Sequence, residues 1–183
     1  MYTFDWLAKQ ATLIPDKTAV IDAATNRKYT YAEFHLLAGA VAEFLQDIWG
    51  IQKGDRVALL AHNSSDYMAI KYGCAKIGAI LVCLNWRLAV PELAFIMRDS
   101  TPSALIYDPE FAEAALALAN QIDPDHMMAL DEVEGTDHIT YETAIASTSG
   151  NPIVMPPTPL DTPWFILYTS GTTGRPKGVI QTH

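Results

Sequence analysis

From Arg56 onward, short apolar runs alternate with longer segments of helical periodicity, and this rhythm restricts the chain more than any other feature. Arg56 to Ala61 reads as a strand, after a turn at Lys53-Gly54-Asp55. Ser64 or Ser65 can cap a helix whose inner face is Tyr67, Ile70, Cys74 and Ile77, stopped at Gly78. Ala79 to Leu84 is apolar throughout, as a strand covered on both faces must be. Pro91 fits the first turn of the next helix, which carries Leu93, Ile96 and Met97. Ser103 to Tyr107 is a further strand, Asp108 and Pro109 open a helix with Phe111, Ala114, Ala115 and Leu118 inward, and Met127 to Leu130 closes the series as a strand. Repeated β-α-β order predicts an α/β fold: a doubly wound, mostly parallel sheet with flanking helices.

The first 50 residues read differently. Phe4, Leu7, Ala8, Ala11 and Ile14 follow helical spacing up to Pro15, and Thr18 to Ile21 with Arg27 to Thr30 suggest a hairpin. Thr30 and Glu33 have the spacing of a capping box, opening a helix from Tyr31 to Trp49 that Gly50 would stop. Near the other end, Thr148 to Pro163 holds Pro152, Pro156, Pro157, Pro159 and Pro163 and reads as a connecting segment. Trp164 to Tyr168 then looks like a buried strand.

Charge narrows the function classes. The net charge is -9, which argues against nucleic acid or an anionic membrane surface as partner. Yet no carboxylate side chain follows Asp161, and the last stretch carries Arg175 and Lys177, so that end is locally suited to an anion. The opening MYTFDWLAKQ lacks the pattern of a secretory signal, and the apolar run Ile77 to Leu84 is too short to span a bilayer. Cys74 and Cys83 have no zinc-site spacing and read as buried thiols of a cytoplasmic protein. No metal site is expected. His35, His62, His126 and His138 show no ligand spacing, Tyr67, Tyr72 and Trp86 read as core, and Arg87 as an ion-pair former.

The segment Tyr168-Thr-Ser-Gly-Thr-Thr-Gly-Arg-Pro-Lys-Gly-Val179 is the most informative one. Gly171, Gly174 and Gly178 permit positive φ and close backbone approach to an anion. Thr169, Ser170, Thr172 and Thr173 add hydroxyl donors, Lys177 adds a mobile positive charge, and Pro176 stiffens the exit. Together they describe a polyphosphate cradle. It is not a Walker A loop, because Pro176 stands where the second glycine would fall and Gly178 follows the lysine. It is neither GxGxxG nor a GxSxG nucleophile elbow.

YTSGTTGRPKGV resembles the signature of the adenylate-forming, AMP-binding enzyme superfamily. PDKTAVID, YTYAEF, GIQKGDRVALLAHNS, KIGAILVCLNWRL and ELAFIMRDSTPSALIYD extend the likeness upstream, most closely to bacterial medium- and long-chain fatty acid–CoA ligases. The resemblance implies ATP-dependent activation of a carboxylic acid to acyl-AMP and then acyl-CoA, with ATP, Mg2+ and CoA as cofactors. It implies that Thr169, Ser170, Gly171, Thr172, Thr173, Gly174 and Lys177 bind the nucleotide phosphates. Catalytic residues stay unassigned, and His183 closes a TH pair that resembles the family without an assigned role. Other acyl- or aryl-acid adenylating ligases, and a non-catalytic ATP- or pyrophosphate-binding module, are the alternatives.

The resemblance covers the family's N-terminal part; the later half, with its acid pocket and small C-terminal domain, has no counterpart here. The chain alone is therefore expected not to complete the reaction. The family's fold implies that residues 1–50 pack on a second sheet lying outside this chain, while residues 51–183 form an α/β subdomain ending in the loop at 168–179. On that expectation the helix from Tyr31 exposes part of its apolar face or covers it with a second copy, as a homodimer.

Overall fold

The computed structural model describes residues 1–170 and 176–183, with the backbone alone at Ser170. In chain order the elements are β1 (Tyr2–Thr3), α1 (Trp6–Leu13), β2 (Thr18–Ile21), β3 (Lys28–Thr30), α2 (Tyr31–Glu43), β4 (Arg56–Leu60), α3 (Ser65–Ile77), β5 (Ile80–Cys83) and α4 (Val90–Ser100). They continue with β6 (Ala104–Tyr107), α5 (Ala112–Leu118), β7 (Met127–Ala129), β8 (Ile139–Thr140), α6 (Tyr141–Ala146), β9 (Thr158–Pro159), β10 (Pro163–Ser170) and β11 (Pro176–Thr182).

Among the described residues, seven strands form one sheet in the order β11-β10-β5-β4-β6-β7-β8. All neighbours are parallel except β10 and β11, which pair antiparallel. This is the expected doubly wound, mostly parallel sheet. Alternation along the strands divides the core in two. Val57, Leu59, Leu81 and Ile106 face α1, α2, α3 and α6 on one side, whereas Ala58, Leu60, Val82 and Leu105 face α4 and α5 on the other.

The local signals hold where side chains settle the backbone. Thr30 accepts from the Glu33 N–H at 3.2 Å while the Thr30 N–H donates to the Glu33 carboxylate at 2.8 Å, completing the capping box. Ser64 caps α3 through Tyr67 N, and Gly78 ends it with φ 73°. The helix from Tyr31 is not uniform: after Glu43 the chain widens into a π-helical turn, Phe44–Ile48, before Gly50 at φ 68°.

Three expectations meet the packing. The first concerns residues 1–50. Within this chain α1 and α2 lie on the seven-stranded sheet and share the core with α3. Phe34, Ala38, Val41 and Leu45 are buried there, while Leu36 and Ile48 are exposed. The second concerns Trp164 to Tyr168, which lie in a strand only half covered, with Leu167 exposed, because β10 sits next to the sheet edge. The third is Arg87, whose guanidinium lies 4.0 Å from the Trp86 ring centroid and forms no ion pair among the described residues. The proline-rich segment does connect, but closely. The Met155 N–H donates to Asp5 at 3.0 Å, and Pro152 Cα would be 3.0 Å from a Cβ on Gly39.

Candidate functional site

The glycine-rich motif joins the two strands of a hairpin at the sheet margin. β10 leaves the sheet after Leu167, the last residue paired with β5, and β11 returns beside it. Thr169 is directly opposite Lys177, and Ser170 opposite Pro176, so the ladder closes just at the ends of the segment 171–175. Gly171, Thr172, Thr173 and Gly174 lie outside the described residues. Of the remaining expected phosphate ligands, Ser170 ends β10, and Thr169 and Lys177 are exposed.

Directly opposed residues of an antiparallel pair project to the same face. The Thr169 hydroxyl and the Lys177 ammonium therefore share one side of the hairpin at its mouth. Tyr168, one residue earlier, projects to the other side. No acidic residue occurs between Asp161 and His183, so nothing on the hairpin itself offsets the Lys177 charge. A hydroxyl donor and a cation with no acidic neighbour on the hairpin, beside a glycine-rich segment, fit a polyphosphate group of ATP or pyrophosphate. Among the described residues, no group of three or more His, Cys, Asp or Glu side chains gathers to hold a metal. Mg2+ would enter such a site on the phosphate oxygens.

Gly178 serves a different purpose from the one its type suggests. It lies in β11 and is not among the positive-φ glycines. A Cβ there would stand 3.1 Å from Tyr168 Cζ and 3.1 Å from Ile166 Cγ2. The position is left open for the tyrosine ring.

Sequence reasoning missed two features. One is the returning strand itself, which Val179 and Ile180 after a glycine-rich turn could have signalled. The other is a ledge at the carboxyl ends of the central strands. The connections leaving β4 and β6 run to opposite faces of the sheet, through α3 and α5, and make a switch point between these neighbouring strands. His62 and Glu110 meet there at 3.1 Å. The His62 ring lies 4.6 Å from Trp86 and 5.0 Å from Phe111, with Arg87 over Trp86. Such a ledge offers π faces and a delocalised cation to a planar group.

A cleft of about 130 Å³ lies at the far end of the hairpin, between Phe4, Asp5, Tyr72, Lys76, Trp164 and His183. Its polar floor is already satisfied. Lys76 Nζ donates to Asp5 at 2.6 Å and to His35 Nδ1 at 3.1 Å, and Asp5 also accepts from Ala8 N and Met155 N. Burial works against the charge on Asp5, but the Lys76 ammonium and the two backbone donors outweigh it and hold its pKa below the ordinary value. His183 stacks on Trp164 at 5.2 Å and 6°, donates its backbone N–H to Thr162 O, and burial lowers its pKa.

The AMP-binding enzyme family model matches residues 7–183. The long-chain-fatty-acid–CoA ligase FadD13 of Mycobacterium tuberculosis is 39% identical over 184 residues, covering 100% of this chain and 35% of the relative. The inhibitor-bound N-terminal domain of FACL13 from Mycobacterium tuberculosis superposes with a TM-score of 0.81 at 35% identity, covering 97% of this chain and 43% of that one. The anthranilate CoA ligase AuaEII, in complex with anthranoyl-AMP, superposes with a TM-score of 0.87 at 25% identity, covering 97% and 34%. The chain thus spans about a third of the length of these full-length relatives.

Proposed function

The chain belongs to the AMP-binding enzyme family, and from that premise we propose that the protein carrying it activates a carboxylic acid with ATP and transfers the acyl group to CoA. A carboxylate is a poor electrophile because its charge repels nucleophiles. Its oxygen attacks the α-phosphorus of ATP, the α–β phosphoanhydride bond breaks, and pyrophosphate leaves with the electron pair. The CoA thiol then attacks the acyl carbon, and AMP departs.

The observation that carries this reading is the pairing of Thr169 with Lys177 at the mouth of the β10–β11 hairpin. In the proposal, Thr169, Ser170, Gly171, Thr172, Thr173, Gly174 and Lys177 hold the β- and γ-phosphates, and Lys177 offsets the charge that builds on the leaving pyrophosphate. ATP brings Mg2+ with it. The proposed substrate is a fatty acid, supported by the 39% identity to a long-chain ligase. An aryl acid is the second reading, supported by the TM-score of 0.87 to an anthranilate ligase. The proposed setting is the cytoplasm, in keeping with the free thiols Cys74 and Cys83. No described helix is long and apolar enough to cross a membrane.

The test is acid-dependent exchange of labelled pyrophosphate into ATP by the full-length protein, across saturated fatty acids of rising length and benzoic or cinnamic acids. Exchange with fatty acids is expected, and Lys177→Ala should lower it by about 10- to 100-fold, the worth of one charge-assisted contact. Exchange with aryl acids alone would select the second reading. No exchange with any acid would refute both.

A further inference from the structure

The β10–β11 hairpin has little to hold it at its working end. The parallel ladder from β10 to β5 covers only Phe165, Ile166 and Leu167. From Tyr168 outward the hairpin continues on its own hydrogen bonds, toward the residues that would carry the phosphates. β11 has no outer neighbour among the described strands, and Val179 and Ile180 are exposed. Binding at its mouth with defined geometry requires a further restraint at the point where the ladder stops.

Tyr168 stands at that point. It packs with Ile166 against the core beneath α4 and α5, on the side opposite Thr169 and Lys177. Its ring occupies the space left by the missing side chain of Gly178, its cross-strand partner. The Tyr168 hydroxyl donates to Asp99 Oδ2 at 2.5 Å, in the last turn of α4. That helix is a firm anchor, since Leu93, Ile96 and Met97 fix it in the core. Burial, and then the Asp99 carboxylate, push the Tyr168 phenol pKa up, so it stays a donor through the neutral range.

Building on the proposed polyphosphate role of this hairpin, we propose that Asp99 is a positioning residue for the pyrophosphate-binding loop, acting through Tyr168. The bond ties the root of the loop to α4 and holds Thr169 and Lys177 in place at the mouth. Gly178 belongs to the same device, because a side chain there would displace the ring that reaches Asp99.

The experiment is the acid-dependent pyrophosphate exchange assay on the full-length enzyme, reading KM for pyrophosphate and for the acid separately. Tyr168→Phe and Asp99→Ala should each raise KM for pyrophosphate by about five- to tenfold, less than the full worth of a hydrogen bond to a charged partner because the bond acts on the ligand only through the loop, with KM for the acid unchanged. Asp99→Asn keeps an acceptor for the tyrosine hydroxyl and should stay within about twofold of wild type. Because the two groups act as one unit, the double variant Tyr168→Phe/Asp99→Ala should match the singles. An unchanged pyrophosphate KM in either single variant would overturn the inference, as would additive losses in the double. So would losses confined to kcat and the folded fraction, which is how a merely structural contact would behave. If Lys177→Ala fails while Tyr168→Phe exchanges normally, the inference falls and the proposed function stands. If wild type shows no exchange, both fall.

Discussion

The buried triad of Asp5, His35 and Lys76 makes the stability of the chain depend on pH in a narrow window. Lys76 has only donors to offer, so it binds His35 through a neutral imidazole with Nδ1 as acceptor. Burial lowers the His35 pKa below 6.5, the nearby Lys76 cation adds to this, and Asp5 opposes it. In the unfolded chain the histidine takes up its proton as pH falls through about 6.5, while the folded protein resists. The unfolded state then binds more protons, so stability drops as pH falls from about 6.5 toward the lower folded value. The Asp5 pKa is also lowered, and its contribution is intact at any pH above about 3.8. Urea midpoints at pH 8 and pH 5.5 should differ more for wild type than for His35→Gln, and equal losses would show that another group titrates. None of this triad is legible in the sequence: 71 residues separate Lys76 from Asp5, and His35 has no spacing to betray it. For Lys177 and Thr169 the neighbours in the chain carry the signal on which their proposed role rests. Gly178 was misread, because glycine type alone does not distinguish a need for positive φ from a need for room.

Among the elements, α2 and α3 approach closely at Gly73. A Cβ on Gly73 would stand 2.6 Å from Val41 Cγ1 and 2.8 Å from Val41 Cβ, both on a stiff branched side chain. Gly73→Ala gains about 1 kcal/mol of helix propensity, but the overpacking costs about 1–3 kcal/mol, so a net loss of about 1 kcal/mol is expected in chemical denaturation. Adding Val41→Ala removes the 2.6 Å contact with Cγ1 but leaves the 2.8 Å contact with Cβ, so the double variant should recover only part of the loss. The parallel strands were readable as apolar runs because they are covered on both faces, and α3 and α4 because caps and periodicity agree. β1, β8, β9 and α6 are too short, at two to six residues, to carry a period of their own. The π-helical turn at Phe44–Ile48 was not legible, because α-helical spacing carries Leu45 and Ile48 on one face, whereas the widened turn shifts the phase, burying Phe44 and Trp49 and exposing Ile48.

For the whole molecule, the packing joins residues 1–50 to the sheet as one unit, and this part of the organisation was not legible in the sequence. An apolar helix face states that it must be buried but not against what. Deleting residues 1–50 should uncover the face of the sheet lined by Val57, Leu59, Leu81 and Ile106 together with α3, giving aggregation or loss of a cooperative thermal transition. A truncated chain that melts cooperatively as a monomer would restore the division at residue 50. The central claim concerns the other end of the chain: that the mouth of the β10–β11 hairpin holds polyphosphate through Lys177. Its most direct test is thermal denaturation of this chain with rising pyrophosphate, beside Lys177→Ala. Binding to the folded state alone adds about 2.7 kcal/mol at a hundredfold excess over Kd, or about 5–10 °C for a chain of this size. The account predicts that rise in wild type and its loss in Lys177→Ala; no rise in wild type, or an equal rise in both proteins, would contradict it.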